Sequence, residues 1–520
     1  MTKLLVFGPF RLDLEAETLF RGSEPVGLGK RAVALLRVLV ERAGEPVLKD
    51  TLIETAWSDL VVEEANLTVQ ISALRRVLGQ HPGGAGWIET LPRRGYRYVG
   101  PPPVSEARTQ PPTAETKGAL PLPDRPSIAV LPFQNMSSDA EHDYFADGIV
   151  EDITTALSRS RQLFVIARNS SFTYKGRAVD AKQAGRELGV RYLLEGSVRK
   201  AGNRVRITAQ LIDATTGGHL WAERYDRDIS DIFEIQDDVT QQIVGELKVT
   251  LSESEKGLIA GDRTKNVEAH DLFLKGRALL GGQKRDRETF GQWMNAFQRA
   301  IELDPQHSSA YAGLAMGYAL DHQNNWSDAP QTSLDNAQRF VDDAIARDDK
   351  NAFAHYVATV VAIWKKDYER WASEGDEALS LDPNFALAIM TRGILHIYTG
   401  EPERAIPYIE RAMRLDPAPQ HGQHVHFLGM AYFVAGEYEM AADCFKDRIT
   451  INPRTDFSRA FLASALGHLG KAEEAVRIWR ELETINPRYS FADHIDRLPF
   501  ADAADAEKFT VGLRKAGLRK

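Results

Sequence analysis

Within the first hundred residues, the side chains able to do chemistry gather in two short runs. Between Ala65 and Leu78, Leu67, Ile71, Leu74 and Leu78 recur at spacings of four, three and four. On a wheel of about 100° per residue they fall within an arc of about 60°, so a helix with one buried face is expected. The other side carries Val69, Ser72, Ala73 and Arg76, flanked by Asn66, Thr68, Gln70 and Arg75, and no acid follows Glu64. Small, polar and basic side chains suit the floor and walls of a DNA major groove, whereas carboxylates there would be repelled by phosphate. The second run is WIETLPRRGYRYV, Trp87–Val99. Gly95 supports a bend, Arg93 and Arg94 lie at its tip, and Tyr96 and Tyr98 alternate with Arg97, which puts rings and charge on opposite faces. The chemistry implied is ion pairing and hydrogen bonding to a duplex: phosphate contacts for affinity and a few base-edge contacts for discrimination.

Those residues need a frame. Residues 1–100 read as a short β region, three helices and a hairpin. The first helix, Lys30–Ala43, buries Val33, Leu36 and Val40 and stops near Gly44; the second covers Lys49–Trp57. A three-helix core closed by ISALRRVLG and IETLPRRGYRYV resembles the winged helix-turn-helix domain of OmpR/PhoB-type regulators, nearest the CadC, ToxR and HilA-like branch with its effector domain at the N-terminus. The resemblance implies that the third helix reads the major groove and the wing hairpin follows the backbone. Carried onto this chain, the DNA-contacting residues are Asn66, Thr68, Val69, Gln70, Ser72, Ala73, Arg75 and Arg76, with Arg93, Arg94 and Arg97 on the wing. Some relatives have arginine where this chain has Ala73, so base preference is not carried over. With this head at the start, no phosphate-accepting receiver domain is expected before it.

Charge confines any such contact to the head. The chain's net charge is −9 over 520 residues. Residues 1–100 hold 13 Lys+Arg against 12 Asp+Glu, and the remainder 51 against 61, so an acidic body is unsuited to coating nucleic acid. One cysteine, Cys444, cannot form an internal disulfide and fits a reducing compartment. No run of about 18 apolar residues is present, and the start is a poor secretion signal, so a cytoplasmic protein with no membrane partner is expected.

Composition divides the rest. Residues 101–126 contain eight of the 24 prolines and read as a semi-rigid linker. Residues 127–254 mix strands and helices: SIAVLPF suits a buried strand, Phe145, Ile149, Ile153 and Leu157 a helix stripe, and RVRITAQL a half-exposed strand pairing with His219–Tyr225. The segment resembles the TolB N-terminal-like α/β domain through IAVLPF, DYFADGIVEDITTAL and IFEIQDDV, a domain that also accompanies class III adenylate cyclases. From 267 to 487, proline follows Asp or Asn at Pro305, Pro383, Pro417, Pro453 and Pro487, the last three intervals being 34, 36 and 34 residues. This is tetratricopeptide repeat spacing, with about six units counted, Asp349 taking the place of one proline, and residues 488–520 a polar capping segment. The expected fold is therefore multidomain: a winged helix (α+β) head, an α/β middle domain and an all-α tetratricopeptide repeat solenoid.

Catalytic patterns are sparse. Asp139, Glu141, His142 and Asp143 cluster after the first strand of the middle domain and read as a solvated loop. His421, His424 and His426 open a repeat helix without a matching Cys or carboxylate set. No Walker loop, dinucleotide turn or nucleophile elbow is found. No enzyme activity, cofactor or metal is expected. The expectation is a sequence-specific DNA-binding transcriptional regulator. Its partners are double-stranded DNA, a protein or peptide in the repeat groove, and a second copy of itself. The alternative is a scaffold whose winged helix and repeats bind proteins rather than DNA.

Overall fold

The computed structural model describes residues 3–13, 18–21, 24–25, 28, 30–56, 64–79, 86–91, 94–101, 104–107, 120–137, 143–177, 179–260, 264, 266–280, 287–324, 326, 329–418 and 422–518. The chain folds as two units, residues 1–118 and 119–520.

In the first unit, β1 (Lys3–Phe7), β2 (Phe10–Asp13), β3 (Thr18–Arg21) and β4 (Glu24–Pro25) run antiparallel in chain order. Helices α1 (Lys30–Glu41), α2 (Lys49–Ala56) and α3 (Glu64–Leu78) follow, with β5 (Val47–Leu48) between the first two. β6 (Ile88–Leu91) and β7 (Gly95–Tyr98) form the hairpin, and β7 also pairs with β5. Val33, Leu36 and Val40 are buried as expected. Phe7, Phe10, Trp87 and Tyr98 meet edge-on or tilted at 5.4–6.2 Å, joining the first sheet to the hairpin. One expectation is corrected. β8 (Val104–Ala107) lies inside the proposed linker yet pairs antiparallel with β1. Its four residues contain no proline, so every amide is free to join the ladder.

The second unit starts with an α/β layer. Its strands are β9 (Ser127–Val130), β10 (Gln134–Asn135), β11 (Phe164–Val165), β12 (Tyr192–Ala201), β13 (Arg204–Asp213) and β14 (Gly218–Asp228). They order as β11-β9-β12-β13-β14, with β10 beside β12. β9 is buried throughout, and β13 buries Val205, Ile207, Ala209 and Leu211 while the residues between them are less covered. Helices α4 (Asp143–Ser158), α5 (Arg168–Ser171), α6 (Ala181–Leu188), α7 (Ile232–Glu246) and α8 (Glu253–Ala260) complete the layer.

Six helix pairs follow: α9 (Val267–Leu280) with α10 (Arg287–Leu303), α11 (Ser308–Asn324) with α12 (Pro330–Arg347), and α13 (Ala352–Lys365) with α14 (Tyr368–Leu381). The next are α15 (Ala386–Tyr398) with α16 (Pro402–Leu415), α17 (Gln423–Ala435) with α18 (Tyr438–Ile451), and α19 (Phe457–His468) with α20 (Ala472–Ile485). Each marker proline sits just past the second helix of a pair, where its ring cannot continue the turn. Small residues let the paired helices close up: a Cβ on Gly429 would stand 2.8 Å from the Phe445 ring.

Two further expectations change. The α/β layer and the repeats, read as separate domains, pack as one unit. Arg277 of α9 donates to Asp152 of α4 at 3.1 Å, Tyr144 to Asp271 at 2.8 Å, and Gly148 leaves room for Leu274. Farther along, the Asn384 amide donates to the carbonyls of Ser158, Ser160 and Leu163, and the Ala167 amide to the Leu415 carbonyl. The last segment is not polar throughout: α21 (Phe491–Arg497) and α22 (Ala503–Lys515) bury Phe491, Ile495, Phe509 and Leu513.

Candidate nucleic-acid interface

The helix expected to face a duplex forms as α3, and its inward ridge is complete: Leu67, Ile71, Leu74 and Leu78 are at most 2% exposed. With that ridge fixed, Asn66, Thr68, Val69, Ser72 and Arg75 are exposed and Gln70 and Ala73 half-buried. Val69 is 62% exposed, an uncovered β-branched side chain on an otherwise polar face. The Ser72 hydroxyl donates to the Thr68 carbonyl at 2.8 Å, so its oxygen keeps lone pairs for another donor. The Arg76 side chain lies outside the described residues, as does Arg93.

Two arginines have duties within the unit. Arg75 donates through Nε and Nη2 to the Ile88 carbonyl at 3.1 and 2.9 Å, and through Nη2 to Thr90 Oγ1 at 2.7 Å. Its guanidinium also lies 5.9 Å from the centre of the Tyr96 ring. Arg75 therefore ties α3 to the hairpin and sets the angle between them. Arg97 faces Glu89 across the β6–β7 ladder and donates to it from Nε and Nη2 at 3.1 and 2.6 Å. Both partners are well exposed, so the pair trims the hairpin's positive charge and adds little stability. Arg94 is exposed at the turn, where its backbone amide donates to the Leu91 carbonyl, and it has no ion-pair partner among the described residues. The alternation expected around it is observed: Tyr96 and Tyr98 are buried and Arg97 points outward.

Gly95 fixes the hairpin to the helical core. Its φ is +137°, and a Cβ there would stand 2.0 Å from the Val47 carbonyl oxygen. Only glycine lets β7 come this close to β5. Glu89 and Thr90, the partners of the two engaged arginines, were not among the expected site residues. Glu89 was legible in principle, since a two-residue period across a hairpin puts it opposite Arg97. The partnership of Thr90 with Arg75 depends on how α3 packs on the sheet and has no local signal.

Of the other sequence candidates, only Asp143, His424, His426 and Cys444 are described. Asp139, Glu141, His142 and His421 lie outside the described residues. Asp143 opens α4 and accepts from the Asn135 amide at 2.8 Å. His424 and His426 are buried on α17, the latter against Ser458 Oγ at 3.1 Å and among Phe445, Phe457 and Phe461. Burial, helped by Asp447 and Asp443, pushes the Cys444 thiol up to about 12, so it stays protonated and unreactive.

Together these features define a class: a winged helix-turn-helix head of the OmpR/PhoB type, an α/β domain and a tetratricopeptide array in one chain. Comparison with known proteins agrees. Residues 23–98 match the family described as transcriptional regulatory protein, C terminal. Residues 124–242, read as TolB-like, match the second domain of HilA/YgeH-like transcriptional regulators, and residues 386–419 match the tetratricopeptide repeat. Over 264 residues the chain is 45% identical to a protein named putative adenylate cyclase 3 of Rhizobium meliloti, covering 51% of this chain and 44% of that protein. It is 34% identical over 159 residues to the transcriptional regulator HilA of Salmonella typhimurium, covering 30% of this chain and 26% of HilA. The chain thus matches less than half the length of either relative. Among solved structures, the DNA binding domain of E. coli CadC is 25% identical, covering 20% of this chain and 96% of that one with a TM-score of 0.18. YrrB, titled a TPR protein with an unusual peptide-binding site, is 21% identical and covers 39% of this chain and 100% of its own, with a TM-score of 0.29. No helix among the described residues is long and apolar enough to cross a membrane.

Proposed function

We propose that this chain is a sequence-specific DNA-binding transcriptional regulator acting in the cytoplasm. Its head docks on a promoter, and its α/β and repeat unit receives a signal or a protein partner. One observation carries the reading. The buried ridge of α3 leaves Asn66, Thr68, Val69, Gln70 and Ser72 on the uncovered side of a helix that Arg75 braces against a hairpin bearing an exposed Arg94. In this reading the short polar side chains serve base edges and the exposed cation serves phosphate. In the proposed roles, Asn66, Gln70 and Ser72 contact bases, Arg76, Arg93 and Arg94 contact phosphate, and Arg75 positions the helix. The similarity to HilA and to the regulatory families supports the same reading.

The test is an electrophoretic mobility shift of the full chain over a promoter library. A subset of fragments should shift, with affinity falling steeply as salt rises. No salt-sensitive shift on any fragment would refute the proposal. A second reading, in which the head binds protein, is favoured by one feature: Val69 and Leu48, at 62% and 57% exposure, are apolar and uncovered. A partner that protects Val69 in a chain unable to shift DNA would establish it.

A further inference from the structure

The last residues of the chain do not continue the repeat pattern; they turn back across it. Arg497 donates to the Gln323 carbonyl at the end of α11, and Tyr368 of α14 donates to the Pro499 carbonyl at 3.0 Å. The Ala501 amide donates to the Tyr398 carbonyl at 2.8 Å, and the Phe500 ring meets Tyr398 edge-on at 4.8 Å. α22 then lies on α17 and α19, the first helices of the fifth and sixth pairs. A segment of about twenty residues thus touches five of the six repeats.

The seat of α22 is built in detail. Phe509 is fully buried, stacked on Phe433 at 4.0 Å and edge-on to Phe461 at 4.7 Å. Three positions on, Gly512 crosses Gly467: a Cβ on Gly467 would stand 1.9 Å from the Gly512 carbonyl oxygen, and one on Gly512 2.3 Å from the Ser464 carbonyl oxygen. Leu513 and Ala516 complete the buried stripe. The array also holds the segment by its backbone. Ser464 Oγ donates to the Phe509 carbonyl at 2.7 Å and His468 Nε2 to the Lys508 carbonyl at 2.8 Å, while Lys508 Nζ returns a bond to the Val434 carbonyl at 2.9 Å. An aromatic pocket, a small-residue crossing and side chains grasping carbonyls are the parts of a helix-binding groove.

We propose that the surface of α17 and α19 is a binding site for an amphipathic helix carrying Phe, a glycine three positions later and Leu next to it, and that α22 is its built-in occupant. A partner helix with this pattern binds by displacing α22. Tethering gives α22 a millimolar effective concentration, so an incoming helix must be a good match or abundant. The inference rests on the partner-binding part of the proposed function and is independent of DNA binding by the head.

The probe is a fluorescent peptide of residues 498–518, titrated by anisotropy into the full chain and into full-chain Gly512→Val, whose added side chain cannot fit against Ser464. The variant should bind the peptide at least tenfold more tightly than the unchanged chain, and a Phe509→Ser version of the peptide should not bind. Equal binding by the two chains, or loss of the whole array's helicity in the variant, would overturn the proposal by making α22 an integral cap. Hydrogen exchange on the unchanged chain decides without mutation. α22 amides should exchange at least tenfold faster than those of α17 and α19, and matching protection would contradict a displaceable occupant. A partner that binds while α22 stays protected would overturn this site and leave the partner reading intact.

Discussion

Three arginines of α3 and the hairpin illustrate how little residue type alone says about role. Arg75 spends its guanidinium on Ile88 and Thr90, Arg97 on Glu89, and Arg94 stands exposed. Distinct outcomes follow. Arg94→Glu should weaken binding to a shifted fragment at least tenfold and reduce the slope of log affinity against log salt by about one; an unchanged slope would remove it from the phosphate contacts. Arg75→Ala should instead destabilise the head by about 1–2 kcal/mol through lost charge-assisted hydrogen bonds, seen in thermal melting, and leave the salt slope unchanged. Gly95→Ala should cost about 2–3 kcal/mol, because a strained φ and a contact with backbone coincide. The ridge of α3 was legible because its period repeats over four positions, whereas the engagement of Arg75 was not, because its partners stand on a strand brought near only by tertiary packing.

At the scale of elements, the repeat pairs were the most readable part. A proline after five of the six second helices and a small residue at each close approach recur in phase, and each acts locally. What the period could not reveal is what the array touches. β8 pairs across about a hundred residues with β1, and the segment from Arg497 through α22 returns over five repeats; neither contact has a sequence signal shorter than the fold itself. The seam between α4 and the repeats contains Asp382, fully buried, accepting from Ser158 Oγ at 2.7 Å and held up at about 6 by desolvation. The folded form keeps its proton where the unfolded carboxyl has already lost one. This group's contribution to stability therefore falls as pH rises from the ordinary carboxylate range through 6, and stays low above. Asp382→Asn should match the unchanged chain near pH 4 and exceed it at pH 8 by up to about 3 kcal/mol, read as a difference in melting temperature that grows with pH. A difference independent of pH would show that Asp382 is not protonated at the seam.

For the whole molecule, charge and packing divide the labour. The near-neutral first hundred residues carry the outward face of α3, while the remaining residues have ten more acids than bases and pack α/β layer and repeats around shared cores. Arg277 and Asn384, together with Arg414, whose Nη2 donates to the Gly189 carbonyl at 2.7 Å, tie the two parts of that second unit together. The claim beneath all of this is that α3 meets DNA with the side that Leu67 and Leu74 leave uncovered. A photo-crosslinking amino acid placed at Val69 of the full chain, bound to a shifted promoter fragment, tests it most directly. The account expects a DNA adduct at Val69 and none from the same group at Glu483 on α20. No adduct at Val69, with the fragment still bound, would contradict it.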